Sequence, residues 1–379
     1  MRKNLLLVLA LIALTGMLFA SGSAESDTVK VAVAAPLTGD YAEYGVGFRN
    51  AVELHAKQIN EEEGGVLGKQ IQIVSFDDKN SAEEAASIAE KIVDDKAIVA
   101  VIGHFASGVS MTASPTYQEE GIVEIAPSAS HPDYSSRGDY IFRNNTLVDM
   151  EANATLDIAD NVFKSKRVAV LAVKTDWGLS TADILINDLA PKHTGLEIVG
   201  YEEIIDGLTD FSSTITKLRS YNPDTIIVAA MYNVLGPFTN QLRDVAPEIN
   251  IIGFSNAYSE ELVKLTKEKG NGIALPAVFF HESEDAKVRK FVDEYQAAYN
   301  GAIPSALTAQ AYDSLGMIVE AIKLGNSTDR ASIKDKLYEL DYKGVAGDTH
   351  FDAQGDSNKT FTWLRIEDGK FKEIDKSAL

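Results

Sequence analysis

Short apolar runs alternate with longer stretches of helical periodicity along most of the chain. Residues 29–34 (VKVAVA) read as a strand. The loop APLTGDYAEYG follows. Val46, Ala51, Leu54 and Ile59 then recur near helical spacing, predicting a helix over 45–60 that stops at the glycines of EEEGGVLGK. A strand over 71–76 leads to a helix capped at Ser81, with Glu83 and Glu84 in its first turn. A strand over 98–102, a helix reaching residue 119 and a strand over 123–126 complete a first series. After Arg143 the alternation resumes: helix 149–163, strand 168–173, a helix from Trp177, strand 197–204, helix 210–220, strand 225–229, helix 235–245 and strand 249–253. Repeated strand–helix alternation gives parallel sheets with helices on both faces. Two such series, broken near 145–150, predict two α/β lobes in tandem. Beyond residue 280 the pattern is helical over 285–299, 305–324 and 332–340, and the chain closes with a hairpin-like tail rich in Gly and Asp turns.

The first residues stand apart from this alternation. Arg2 and Lys3 precede the apolar run NLLLVLALIALTGMLFA, and small residues SGSAES follow, the pattern of a secretory signal over 1–24. That run is at the short end for a spanning helix and no other stretch qualifies, so a soluble, extracytoplasmic protein is expected. LFAS is similar to a lipoprotein signal, but Ser21 stands where a lipidated cysteine would, so no thioether-linked lipid anchor can form there. With no cysteine in 379 residues, disulfides, thiol chemistry and thiolate-ligated zinc are excluded. A formal net charge of −21 argues against nucleic acid and anionic membranes as partners.

In open parallel sheets, ligands bind at the carboxyl ends of the strands. Those ends carry APLTGDYAEYG, DDKNS, GHFASG, APSASHPDY, KTDWG, AAMYN (with Tyr232) and GFSNAY (with Ser255 and Asn256). They are rich in Ser, Thr, Tyr, Trp and Asn and poor in Lys and Arg. That set suits holding a small polar or zwitterionic molecule better than catalysis. Enzyme motifs fail in turn. A hydrolase elbow around Ser107 would need glycine where Phe105 stands. EGGVLGKQ departs from a phosphate-binding loop at Glu63 and Gln70, and YGVGFRN lacks the third glycine of a dinucleotide loop. No H-E-x-x-H spacing points to a metal site, and no cofactor is implied. His104 near Ser107 could serve as a base, but a histidine packed at the strand end is the simpler reading.

Ser107 and Gly108, in VIGHFASGVS, open a helix, where the first backbone N–H groups lack intrahelical partners and the dipole favours an anion. Ser107 alone would read as an ordinary cap. Ser128 and Ser130, at the next strand end, add hydroxyls that could hold a carboxylate without any Lys or Arg.

At these residues the sequence resembles the type I periplasmic binding proteins of the leucine/isoleucine/valine-binding family, the substrate-capturing components of branched-chain amino acid ABC importers. The resemblance spans VAVAAPLTGDYAEYG, GGVLGKQIQIVSFDD, VIGHFASGVS, EEGIVEIAPSAS, IFRNN, DFSSTITKLR and GDTHFDAQGD. It implies two Rossmann-like lobes with parallel sheets joined by three crossovers, expected near 145–148, 275–281 and 345–352. The first lobe would comprise 27–146 plus 278–348 and the second 147–277 plus 349–379. Ser107 matches the family's carboxylate-binding serine, and Ser128 and Ser130 match the pair that holds carboxylate and amine. Tyr44 matches a tyrosine closing the ligand's side, and Trp177 an aromatic on the opposing lobe. Family members that bind amino acids use an acid on the second lobe for the ammonium group, and here that position is Ser255. Asp149 is the expected substitute, its alternative being a helix N-cap, with Asp176 next in line. Met231 stands where an aromatic is frequent. The resemblance implies a monomeric, non-enzymatic carrier that takes a neutral amino acid to a membrane permease. An amide, urea or amine-free carboxylate is the other ligand class, and a secreted serine hydrolase the rival activity.

Overall fold

The computed structural model describes residues 27–378. The expected signal over 1–24, and Ser21 within it, lie outside the described residues. The first sheet is built from β1 (Thr28–Ala35), β2 (Gln70–Asp77), β3 (Ile98–Gly103), β4 (Val123–Ala126) and β5 (Ile141–Arg143), all parallel, in the order β2-β1-β3-β4-β5. Its connecting helices are α1 (Ala42–Glu62), α2 (Ala82–Asp94) and α3 (Ser107–Glu119). Interior β3 (IVAVIG) is buried at every position, as a strand covered on both faces must be, whereas edge strand β2 keeps exposed residues. Ser81 caps α2 by accepting from Glu84 N–H.

Past a first crossover between Arg143 and Val148, the chain forms α4 (Val148–Asn161), β6 (Arg167–Val173), α5 (Asp176–Asp183), β7 (Glu197–Ile204), α6 (Ser212–Ser220), β8 (Thr225–Ala229), α7 (Tyr232–Val245), β9 (Asn250–Ile252), α8 (Glu260–Thr266) and β10 (Ala274–Ala277). It then crosses back through α9 (Ala286–Ala298), α10 (Ala306–Gly325) and α11 (Arg330–Tyr338), with α10 packed along α1. The tail is two hairpins rather than one. β11 (Asp341–Gly344) pairs with β12 (Gly347–His350). β13 (Thr362–Glu367) pairs with β14 (Lys370–Glu373) and also adds antiparallel to β10, giving a second sheet in the order β14-β13-β10-β9-β8-β6-β7. Strands β5 and β10 are additional to the sequence pattern: both are short, and β10 contains Pro276, a residue that reads against a strand. Among the described residues no helix is long and apolar enough to cross a membrane.

The expected lobe boundary at 348/349 moves. Residues after His350 stay on the first lobe: Phe351 packs edge-on against Phe142 at 5.0 Å, Gly355 O accepts from Arg143 N at 3.0 Å, and Asp356 pairs with the buried Arg143 guanidinium. Lys359 Nζ still donates to Thr349 at 2.6 Å, so the third crossover falls between Lys359 and Thr362. An unpaired buried arginine would be too costly, so Asp356 cannot leave Arg143 for the second lobe. The same guanidinium donates to His131 O and Ser135 Oγ, both at 2.9 Å, and so fixes the 128–135 loop.

Candidate functional site

Between the two sheets lies a cavity of about 500 Å³, lined from both lobes at the carboxyl ends of their strands. From the first lobe, β3 runs through Phe105 and Ala106 into α3. Ala106 is the N-cap and has no side chain to bond the helix start, so the first N–H groups of α3 are left for another acceptor. Ser107 Oγ accepts from Ser130 N (3.3 Å) and His131 N (3.4 Å). With both lone pairs engaged, the Ser107 proton is what remains to donate. Ser128 is used differently: its hydroxyl donates to Phe105 O at 2.6 Å and ties the two loops together. Asn145, on the first crossover, donates to Ser128 O at 2.9 Å and also lines the cavity.

From the second lobe comes Glu151, 2 % exposed, whose carboxylate accepts from the backbone N–H of Ser255. Burial raises its pKa to about 6, partly offset by the Ser255 hydrogen bonds. Trp177 stands edge-on to Phe254 at 5.6 Å and lines the wall beside it. Phe105, Val109, Leu179, Met231 and Leu307 supply the apolar part of the lining. Gly108 meets the opposite lobe directly, since a β-carbon at that position would collide with the Asp176 carboxylate.

The structure thus brings Ser107, Gly108, Ser128, Ser130, Trp177, Ser255 and Asn256 around one cavity, together with Asp176. Three expected residues are elsewhere. Asp149 is exposed, and its carboxylate bonds Met150 N at 2.8 Å. The N-cap of α4 is Leu147, so Asp149 neither caps the helix nor faces the cavity. At about 100° per residue, a position two further along points nearly the opposite way, which turns Glu151 inward as Asp149 turns out. The signal was present: Val148, Glu151, Ala152, Thr155 and Ala159 fall on the buried stripe of α4, and an acid on such a stripe marks a site. Tyr44 lies behind the wall, 3 % exposed, with its ring stacked on Phe105 at 4.4 Å and its hydroxyl donating to Asn256 O at 2.7 Å. Tyr232, first residue of α7, packs 5.5 Å from the Tyr44 ring rather than on the cavity. Asp149→Asn is therefore expected to change ligand affinity less than about twofold and stability by less than ~1 kcal/mol, the size of a helix-dipole effect; calorimetry with thermal melts checks both.

His104 is fully buried, and each ring nitrogen has a partner: Nδ1 lies 2.6 Å from Asp78 Oδ2 and Nε2 lies 3.1 Å from Tyr117 Oη. An orienting carboxylate is thus present, but it aims the ring at a tyrosine and leaves no nitrogen to take a proton from Ser107. Among the described residues no group of three or more His, Asp and Glu is arranged to hold a metal ion.

Residues 28–370 match the periplasmic binding protein family. A Leu/Ile/Val-binding protein homolog from Brucella abortus is 30 % identical, covering 99 % of this chain and all of its own. A leucine-, isoleucine-, valine-, threonine- and alanine-binding protein from Pseudomonas aeruginosa is 28 % identical over 91 % of each chain. Among solved structures, a branched-chain amino acid transporter substrate-binding protein from Streptococcus pneumoniae, in complex with isoleucine, superposes with a TM-score of 0.84. It is 29 % identical, over 92 % of this chain and 99 % of that one.

Proposed function

This chain belongs to the periplasmic binding protein family, of the type that includes the Leu/Ile/Val-binding proteins, and we propose that it captures an amino acid with an apolar side chain for an ABC importer. The observation that carries the reading is one cavity holding two unlike ends. On the first lobe stand the Ser107 hydroxyl proton, the Ser130 hydroxyl and the open N-terminus of α3; on the second stands the buried Glu151 carboxylate. The first end suits a carboxylate without needing a cation, because charge-assisted bonds to hydroxyl and amide donors contribute roughly 1.5–3 kcal/mol each. The second suits an ammonium group. Phe105, Leu179, Met231 and Leu307 leave room for an apolar side chain. Closing the lobes would remove water from these contacts and strengthen them, and the loaded form would dock on a membrane permease.

One feature favours a second reading. Burial already raises the Glu151 carboxyl to about 6, and the negative charge of an amine-free carboxylate beside it would raise it further and favour the neutral acid as its neighbour. Mass spectrometry of small molecules released from the denatured protein identifies the natural ligand. Calorimetry with L-leucine and with 4-methylpentanoate, its des-amino analogue, separates the two readings. Leucine is expected to bind at about micromolar strength, near −8 kcal/mol, and the analogue far more weakly. Equal binding of both would sink the ammonium assignment.

A further inference from the structure

Three residues in and just before the first turn of α1 each bond the other lobe. Tyr41 donates to the Asp206 carboxylate, on the loop after β7. Glu43 accepts from the Ser259 hydroxyl, and Tyr44 donates to Asn256 O at 2.7 Å, both on the segment after β9. These bonds differ in setting. Asp206 is exposed, so the Tyr41 bond competes with water. Tyr44 and Ser259 are each only 3 % exposed, so their bonds are made where water is scarce. The Tyr41 and Asp206 side chains line the cavity themselves, and the Tyr44 bond touches the site through its acceptor. Asn256 follows Ser255, whose N–H holds the Glu151 carboxylate, and both residues line the cavity. The 255–256 segment therefore meets the cavity acid on one side and the opposite lobe on the other.

We propose that Tyr44, supported by Glu43 and Tyr41, is an interlobe latch that holds the closed form and sets how long a captured ligand stays. The latch rests on the reading that the lobes close on a ligand, and it makes Tyr44 a positioning residue acting through Asn256. When the lobes part, the Tyr44 ring keeps its stack on Phe105 while the hydroxyl loses its acceptor, so the hydrogen bond reports closure alone.

Tyr44→Phe tests this by removing one oxygen. The chain lacks cysteine, so cysteines introduced at the exposed Glu90 and Asp188 are unique spin-label sites, one on each lobe. Trp177 in the cavity wall gives a fluorescence signal for L-leucine release. Tyr44→Phe is expected to speed leucine dissociation about fivefold, with association changed less than about twofold, and to lower the closed fraction between the labels. Tyr41→Phe should act in the same direction and more weakly. Tyr338→Phe, which breaks a bond to Asp139 O within the first lobe, should change neither readout. An unchanged dissociation rate and closed fraction in Tyr44→Phe would overturn the latch. If L-leucine does not bind the wild type, the amino-acid reading fails by itself. The ligand-free distance distribution then decides the latch: it stands if Tyr44→Phe shrinks the closed population, and falls if the distribution is unchanged or the wild type has no closed population.

Discussion

Glu151→Gln is expected to weaken L-leucine binding by about 100-fold or more, while leaving the protein at least as stable as before. Removing one partner of a buried charge pair costs roughly 3–5 kcal/mol, because the ligand ammonium would be left without a counter-charge. Glutamine keeps the volume and can still accept from Ser255 N–H. The stability effect runs the other way. The folded carboxyl titrates at about 6 against an ordinary 4.5, so the folded form holds its proton more tightly than the unfolded chain. Stability from this group is present below about 4.5, falls as pH rises toward about 6, and above that is lower by about 2 kcal/mol. Above that window the glutamine variant should gain up to that amount. Affinity has the opposite pH dependence: leucine needs the ionised form, so binding should tighten about tenfold per unit up to pH ~6 and level off beyond. Calorimetry between pH 5 and 8, with melts on both proteins, checks all three statements. A variant that binds leucine like wild type, or a flat pH profile, removes Glu151 from the role.

Ser107→Ala combined with Ser130→Ala is expected to cost about 100-fold or more in affinity, from two charge-assisted bonds to one carboxylate. Ser107 has a second duty, since its oxygen accepts from Ser130 N and His131 N, so the variant should also lose ~1–2 kcal/mol of stability. A protein with buried cores of this extent tolerates that. A thermal shift paired with leucine titration separates the two effects. Lost stability with unchanged affinity would reduce Ser107 to a loop-fixing residue. Ser128→Ala makes a useful contrast, because the Ser128 hydroxyl is already given to Phe105 O, and its loss should act through loop position.

Under the proposed reading, Glu151 would supply the acid that Ser255 lacks. Where amino-acid binders of the family are expected to carry an acid on the strand-end loop, this chain carries a serine whose backbone N–H anchors an acid from α4. Asp149 looked equivalent in sequence because it too follows the first crossover; only the helix phase distinguishes them.

The sequence by itself determined most of the order of strands and helices, the division into two α/β lobes and the helix that starts at Ser107. Apolar run length and helical spacing are local quantities, and at Ser107 a strand end runs straight into a helix start. Ser107 and Gly108 could be placed from residues 101–110 alone. What needed the tertiary structure was everything set by distant partners. Tyr44 and Asn256 lie 212 positions apart, and their bond turns an expected ligand contact into an interlobe one. Arg143 holds Asp356 and so keeps the 351–359 segment on the first lobe. His104 takes its orientation from Asp78 and Tyr117, which withdraws it from Ser107. In each case the deciding contact joins side chains from different elements, and the spacing of residues along one element carries no record of which neighbour it will meet.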